Sequence, residues 1–398
     1  MTKWFGVVLA LLLATSTPSF SAELPGITDT EIKIGGIFPL SGPVSALGTT
    51  AKSLIAYVQY INDRGGVNGR KINYVAYDDA YSPPKAVEQA RKLVESDDVA
   101  FLFSQVGTPG NSAVAKYLAS RGVPTIALVS GAAKFTDVAS YPLSTTAVVS
   151  YEVEGTIYAK YLDKVLPNSK YAILYQNDDL GRDYLKAFQS YFKQDFDQRV
   201  LAVAYDVAEP TIDSKVVALK SSDAKAFFIA VTPKFAAQAI RKAAEIGWKP
   251  IVIVNSPSSS VAGTLRPAGL ENAIGVIVGG RMRDPTDTQW DNDPANGFRA
   301  FFQKYLPGAD VSDVYYLLGY EQGIVLEQIL KQCGNDLSRE NILKQAKSIK
   351  DFSISTTLVG IKTNTSERVN QLWTQLQSQR WNGNKWEQFG GIEGADME

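Results

Sequence analysis

The chain has 398 residues, with 40 lysines and arginines against 41 aspartates and glutamates, and no histidine. That length exceeds what one hydrophobic core usually serves, so two domains are expected. The even charge balance argues against a nucleic-acid partner, and the lack of imidazole excludes Ser-His and Cys-His nucleophiles and His-based zinc sites.

Residues 1–22 read as a secretory signal: Lys3 is the basic start, Trp4 to Ala14 the apolar run, and Ser19-Phe20-Ser21-Ala22 the small-residue end. Cleavage is expected after Ser21, with Ala22 as the alternative. The apolar run is shorter than the ~20 residues that span a bilayer, so an exported, soluble product is expected.

Ile32 and Ile34 alternate with Glu31 and Lys33 and lead into Ile37 and Phe38, a half-buried strand. Pro39, Gly42, Pro43 and Gly48 break regular structure. Ala51, Leu54, Ile55, Val58 and Ile61 then mark one helix face, Gly65-Gly66 ends it, and Arg70 to Tyr77 is the next strand. The alternation continues with a helix over 83–95, a strand over 99–104, a helix over 112–120 and a strand over 123–129. Apolar strands separated by helices predict a parallel sheet covered on both faces.

A second series starts near Val149. Strands are predicted over 171–175, 200–205, 226–231 and 251–254, with helices between them. The tail differs: a strand over 273–279, helices over 298–305, 314–333 and 338–349, then hairpin strands over 358–363, 371–379 and 385–389 around a turn at Asn382-Gly383. Cys333 falls in a predicted helix and reads as a small core residue; as the one cysteine it excludes an intramolecular disulfide.

The segment Gly36-Ile37-Phe38-Pro39-Leu40-Ser41-Gly42-Pro43, with a helix ending Ile61-Asn62-x-x-Gly65-Gly66-Val67-Asn68-Gly69, resembles the opening of the leucine/isoleucine/valine-binding family. Those are substrate-binding proteins of bacterial ABC importers. The resemblance covers nearly all of the chain after the signal. It implies a two-lobed type I periplasmic-binding-protein fold of the α/β class, each lobe a three-layer sandwich on a parallel sheet. Three crossover hinges are implied near 147–150, 277–282 and 355–360. Lobe 1 would then hold 23–148 plus 279–357, and lobe 2 would hold 149–278 plus 358–398. It further implies a periplasmic monomer that hands its ligand to a membrane permease.

Ligands of open parallel sheets bind beyond the carboxyl ends of the strands. Two loops there are candidate anion seats. Ser104-Gln105-Val106-Gly107-Thr108 opens a helix, and Ser130-Gly131-Ala132 follows the fourth strand. By itself the first reads rather as an ordinary strand-to-helix turn with Thr108 an N-cap, and the second reads equally well as a tight turn. The resemblance places the Thr108 hydroxyl and the Ser130–Ala132 loop on a ligand carboxylate. Leu47, Gln105, Tyr151, Leu180, Thr232, Ser256 and Tyr316 complete the expected cleft.

Two departures from the family bear on the ligand. Members that bind α-amino acids hold the ammonium with a carboxylate after the strand matching Ile251–Val254. Here that loop is Asn255-Ser256-Pro257-Ser258-Ser259-Ser260, without an acid, and a buried ammonium with no anionic partner is costly. Leu47 and Leu180 also stand where tyrosine is common. A small apolar or aromatic carboxylate is therefore expected, with a branched-chain or other hydrophobic amino acid as the alternative if Asp178, Asp179 or Glu152 supplies the charge. Arg281 and Arg283 flank a crossover, and read either as a pair across the cleft or as solvated charges. Catalytic residues, a metal and a cofactor are not expected: there is no histidine, nucleophile motif or Gly-rich phosphate loop with lysine. A ligand sensor of the same fold is the rival to a transport role.

Overall fold

The computed structural model describes residues 24–290 and 297–395. The signal-peptide reading lies outside the described residues.

The first half builds a five-stranded parallel sheet from β1 (Glu31–Phe38), β2 (Lys71–Asp78), β3 (Leu102–Phe103), β4 (Thr125–Leu128) and β5 (Ser144–Thr146), in the order β2-β1-β3-β4-β5. β1 and β2 pair in continuous register from Glu31↔Lys71 to Phe38↔Asp78. The helices α1 (Thr49–Asp63), α2 (Pro83–Arg91) and α3 (Thr108–Ser120) are its crossovers. The helix Val314–Cys333 returns from the far end of the chain to cover this sheet. It meets α1 backbone to backbone: a Cβ on Gly319 would lie 2.4 Å from the Thr50 carbonyl oxygen.

The second sheet has seven strands. β6 (Tyr171–Gln176), β7 (Val200–Tyr205), β8 (Ala226–Ala230), β9 (Ile251–Val254) and β10 (Ile277–Gly280) are parallel, and β11 (Gln375–Trp381) and β12 (Trp386–Gly394) add an antiparallel hairpin at one edge. The order is β12-β11-β10-β9-β8-β6-β7. β8, AFFIA, is buried at every residue, as the apolar run demands of a central parallel strand. The helices α4 (Tyr151–Val165) and α5 (Asp179–Phe192) pack on it, with Tyr184, Phe188 and Phe192 facing in.

The alternating pattern gives the order of elements, and the tail is where the structure differs. Residues 358–363 do not form a strand. The Ile361 amide turns back on the Leu358 carbonyl at 3.1 Å, and contact is reduced to isolated bridges, Met282↔Thr357 and Phe352↔Thr363. The following segment lies beside β5. Gln371 bridges Thr146, and the Asn370 side-chain amide donates to the Phe135 and Ser144 carbonyls at 2.8 and 3.1 Å. Leu358, Ile361, Leu372 and Trp373 are buried in the first sheet's core. The chain thus reaches the second sheet for the last time at 373–375 rather than at 355–360. Cys333 is buried in that core, where burial pushes its thiol up to about 12.

Candidate functional site

Strand ends of both sheets face one cleft. It holds ≈ 1110 Å³ of free space with its open mouth included, and Leu47, Thr108, Tyr151, Leu180 and Ser256 all line it. Most of the remaining wall is apolar: Val106, Val149, Pro257, Val261, Leu318 and Leu376 are examples.

At one end hydroxyls gather. Thr108 Oγ1 and Ser130 Oγ are 2.7 Å apart, and the Ala132 amide donates to Ser130 Oγ at 3.2 Å. The fourth strand delivers this loop to the mouth of the first sheet. Gly131 lets the second half approach it: a Cβ there would meet the Tyr151 ring at 2.6 Å. The Tyr151 phenol faces the Gly131 amide and the Thr108 and Ser130 hydroxyls. Burial pushes it up to about 12, against those hydrogen bonds, so it is a neutral donor at neutral pH. Fixed neutral donors in a dry pocket are what a carboxylate needs.

Other expected residues lie elsewhere. Ser130, Gly131 and Ala132 stand behind Thr108 and Tyr151 rather than on the cleft wall. Gln105 is 2% exposed and lines a small separate gap with Ala86 and Asn111. Thr232 is buried with its hydroxyl 3.3 Å from the Tyr205 phenol. Tyr316 packs edge-on against Phe302, on the other side of its helix, and its neighbour Tyr315 takes the cleft position. The Tyr315 phenol donates to the Pro257 carbonyl across the cleft. One residue of helical phase separates the two tyrosines.

Glu154 lies directly behind Ser256 and is 0% exposed. Its carboxylate accepts from four donors: Tyr158 Oη at 2.6 Å, Tyr184 Oη at 2.7 Å, the Ser256 amide at 2.7 Å and Ser256 Oγ at 2.8 Å. Burial pushes its pKa up, and those donors oppose the shift. All its strong acceptor positions are used, so it offers nothing to an ammonium in the cleft.

The other acids near the site are engaged too. Asp178 caps α5 through the Leu180 amide at 2.9 Å and accepts from the Gln176 side chain at 2.6 Å. Asp179 pairs with Lys134 at 2.6 Å and Glu152 with Lys186 at 2.6 Å. Asp284 is the acid among the described cleft-lining residues, and it accepts from the Thr286 amide and hydroxyl and the Trp386 amide. Arg281 is 6% exposed, ion-paired with buried Glu321 and stacked 3.6 Å from the Trp373 ring centroid, so it is a paired charge rather than a solvated one. Among the described residues, no group of three or more His, Cys, Asp or Glu is placed to hold a metal ion.

Sequence reasoning missed Thr50, Tyr81 and Trp386, which also line the cleft. Tyr81 follows β2, so the strand-end rule would have found it. Thr50 and Trp386 lie in a helix and a tail hairpin, and carry no such signal.

The two halves also meet directly. On one side the Ala133 amide donates to Asp183 at 2.7 Å, beside the Lys134–Asp179 pair. On the other, Arg266 pairs with Asp310 and Ser260 Oγ donates to Asp313 at 3.0 Å.

Two α/β halves with strand ends facing a shared apolar cleft define a two-lobed, type I binding-protein fold. The chain belongs to the periplasmic binding protein family, which matches residues 31–385. The "Leu/Ile/Val-binding protein homolog 7" of Brucella abortus is 26% identical over 365 residues, covering 87% of this chain and 89% of the relative. A branched-chain amino acid ABC transporter structure from Thermus thermophilus, solved with valine, shares the fold at a TM-score of 0.81 and 14% identity, covering 93% of this chain and 98% of the other. A solute-binding protein from R. palustris in complex with 4-hydroxybenzoate shares it at 0.76 and 18%, covering 92% and 98%. The R. palustris protein is named as the solute-binding protein of an ABC transporter, and the Thermus protein as a branched-chain amino acid ABC transporter. Among the described residues of this chain no helix is long and apolar enough to cross a membrane.

Proposed function

We propose that this chain is the periplasmic, monomeric binding component of an ABC importer, and that its ligand is a small apolar or aromatic carboxylate. The carboxylate would take the Thr108 and Tyr151 hydroxyls, with Ser130 and the Gly131 and Ala132 amides behind them. The apolar body would lie against Leu47, Val149, Leu180 and Pro257. The observation that carries this reading is the state of Glu154: the acid nearest the second-half wall already accepts from Tyr158, Tyr184 and Ser256. An α-ammonium entering beside this wall would lose its water without finding a free acceptor on Glu154.

Binding works by closure. The lobes, 23–148 plus 279–374 and 149–278 plus 375–398, turn about the crossings; 358–374 goes with the first lobe, on whose core it packs. A ligand favours the closed form only by its extra affinity for that form. Leu180, Pro257 and Tyr315 supply the contacts that exist only when the halves meet. The closed form is what the permease recognises.

Uptake of a hydrophobic amino acid is the second reading, favoured by the names of the relatives. Thermal unfolding of refolded, ligand-stripped protein separates the two. A ligand at 100 times its Kd stabilises by about 2.7 kcal/mol. Aromatic and branched aliphatic acids should raise the midpoint, and leucine and valine should not. The reverse pattern would overturn the carboxylate reading.

A further inference from the structure

Hydroxyls on the cleft wall are nearly all spent on the protein itself. Ser256 Oγ donates to Glu154, Ser259 Oγ to the Ser256 carbonyl at 2.9 Å, and Ser312 Oγ to Asp310 at 2.6 Å. Thr108 and Ser130 share one hydrogen bond, which leaves one hydroxyl proton of the pair for the carboxylate. Thr50 is the exception. It lines the same cleft, is 1% exposed, and its Oγ1 has no hydrogen-bond partner. A threonine in a helix ordinarily bonds back to the carbonyl one turn earlier; this one does not. Its backbone is held in place, because Gly319 lets the helix Val314–Cys333 approach the Thr50 carbonyl closely. Its Oγ1 is a buried, unpaired hydroxyl on a residue that lines the cleft with Leu47 and Leu318.

We propose that Thr50 Oγ1 is a second polar point of ligand recognition, and that the ligand is an acid whose apolar body carries a hydroxyl group. This deepens the carboxylate reading above and rests on it. A ligand hydroxyl meeting Thr50 pairs two groups that would otherwise be buried alone, whereas a plain hydrocarbon acid leaves Thr50 unsatisfied. Sites built to pair a substrate hydroxyl discriminate strongly against the analogue without it.

The test is calorimetric titration of the refolded protein with matched acids: benzoate against its 2-, 3- and 4-hydroxy isomers, and hexanoate against 6-hydroxyhexanoate. Wild type should prefer at least one hydroxylated member by tenfold or more. Thr50→Val keeps the shape and removes the hydroxyl. It should abolish that preference, leave the plain acid's affinity unchanged or higher, and melt no lower than wild type. Thr50→Ser should retain the preference. Should Thr50→Val lower the melting point, Thr50→Ser and Thr50→Ala carry the same comparison. If acids bind but the hydroxyl preference is absent, or survives in Thr50→Val, the Thr50 assignment is wrong and the carboxylate reading stands. If no acid binds wild type, both fall together.

Discussion

Each wall of the cleft leans on a fully buried carboxylate, and the two are satisfied in opposite ways. Glu321, behind the first wall, holds a charge: Arg281, which lines the cleft, with Thr356 Oγ1 donating at 2.8 Å on its other oxygen. Glu154, behind the second wall, holds only hydroxyls and one amide. The first wall therefore balances its charge internally, and the second wall is a neutral-donor cage around a carboxylate that is already saturated. Neither leaves an anion for a ligand cation. The absence of an acid in the loop after β9 is thus not repaired from behind the loop.

The largest expected effect comes from breaking the first arrangement. Glu321→Ala leaves Arg281 buried without its counter-charge, which should cost about 3–5 kcal/mol in urea unfolding. A loss within experimental error would mean that the guanidinium finds water or another acid. Glu154→Gln should be milder. It presents an amide NH₂ to groups that are themselves donors, a loss of about 1–3 kcal/mol. Removing the Glu154 charge should not change leucine binding, since the carboxylate is not available to the cleft.

Thr108→Val should weaken a bound carboxylate by roughly tenfold or more, the scale of a hydrogen bond to a charged group, and should lower the melting temperature, because it removes the buried partner of Ser130 Oγ. Unchanged affinity would move the anion seat elsewhere. The smallest effects belong to the rims. Lys134 and Asp179 are about a third exposed, and such pairs contribute ~0–1 kcal/mol. Lys134→Ala should shift affinity slightly, and less at high salt.

Acidity gives a subtler rim effect. Asp183, facing the Ala133 amide with Glu152, Asp179 and Lys186 nearby, is pushed up to about 6 by burial. In an open form an exposed aspartate would lose its proton near the ordinary value of about 4. The closed form therefore holds the proton more tightly, and acidification from pH 7 to 5 should modestly tighten ligand binding. Asp183→Asn should flatten that dependence; a wild-type affinity that weakens on acidification would contradict it.

Much of this was legible in the chain. The apolar runs at 171–175 and 226–231 read as strands, and they are β6 and β8; the loops after β3 and β4 read as well or better as ordinary turns, and only the family resemblance points to them. Physical limits account for what was not. Tyr315 and Tyr316 differ by one residue of helical phase, which sequence cannot fix beside a neighbouring aromatic. Gln105 sits in a strand-end loop but turns into the core. Glu154 lies within a helix with its partners at Tyr184 and Ser256, 30 and 102 residues away, so no local pattern reveals its cage. The strand pattern at 358–363 misleads, because a turn at Leu358–Ile361 and the Asn370 side-chain amide decide the packing of that stretch.

The most direct test compares two ligands with one carbon skeleton. Leucine and 4-methylpentanoate differ only by the α-ammonium. Titrated by calorimetry into the refolded protein at pH 7, 4-methylpentanoate should bind at least tenfold more tightly than leucine. Tighter binding of leucine would show that the cleft supplies an anion after all, and the carboxylate assignment would be wrong.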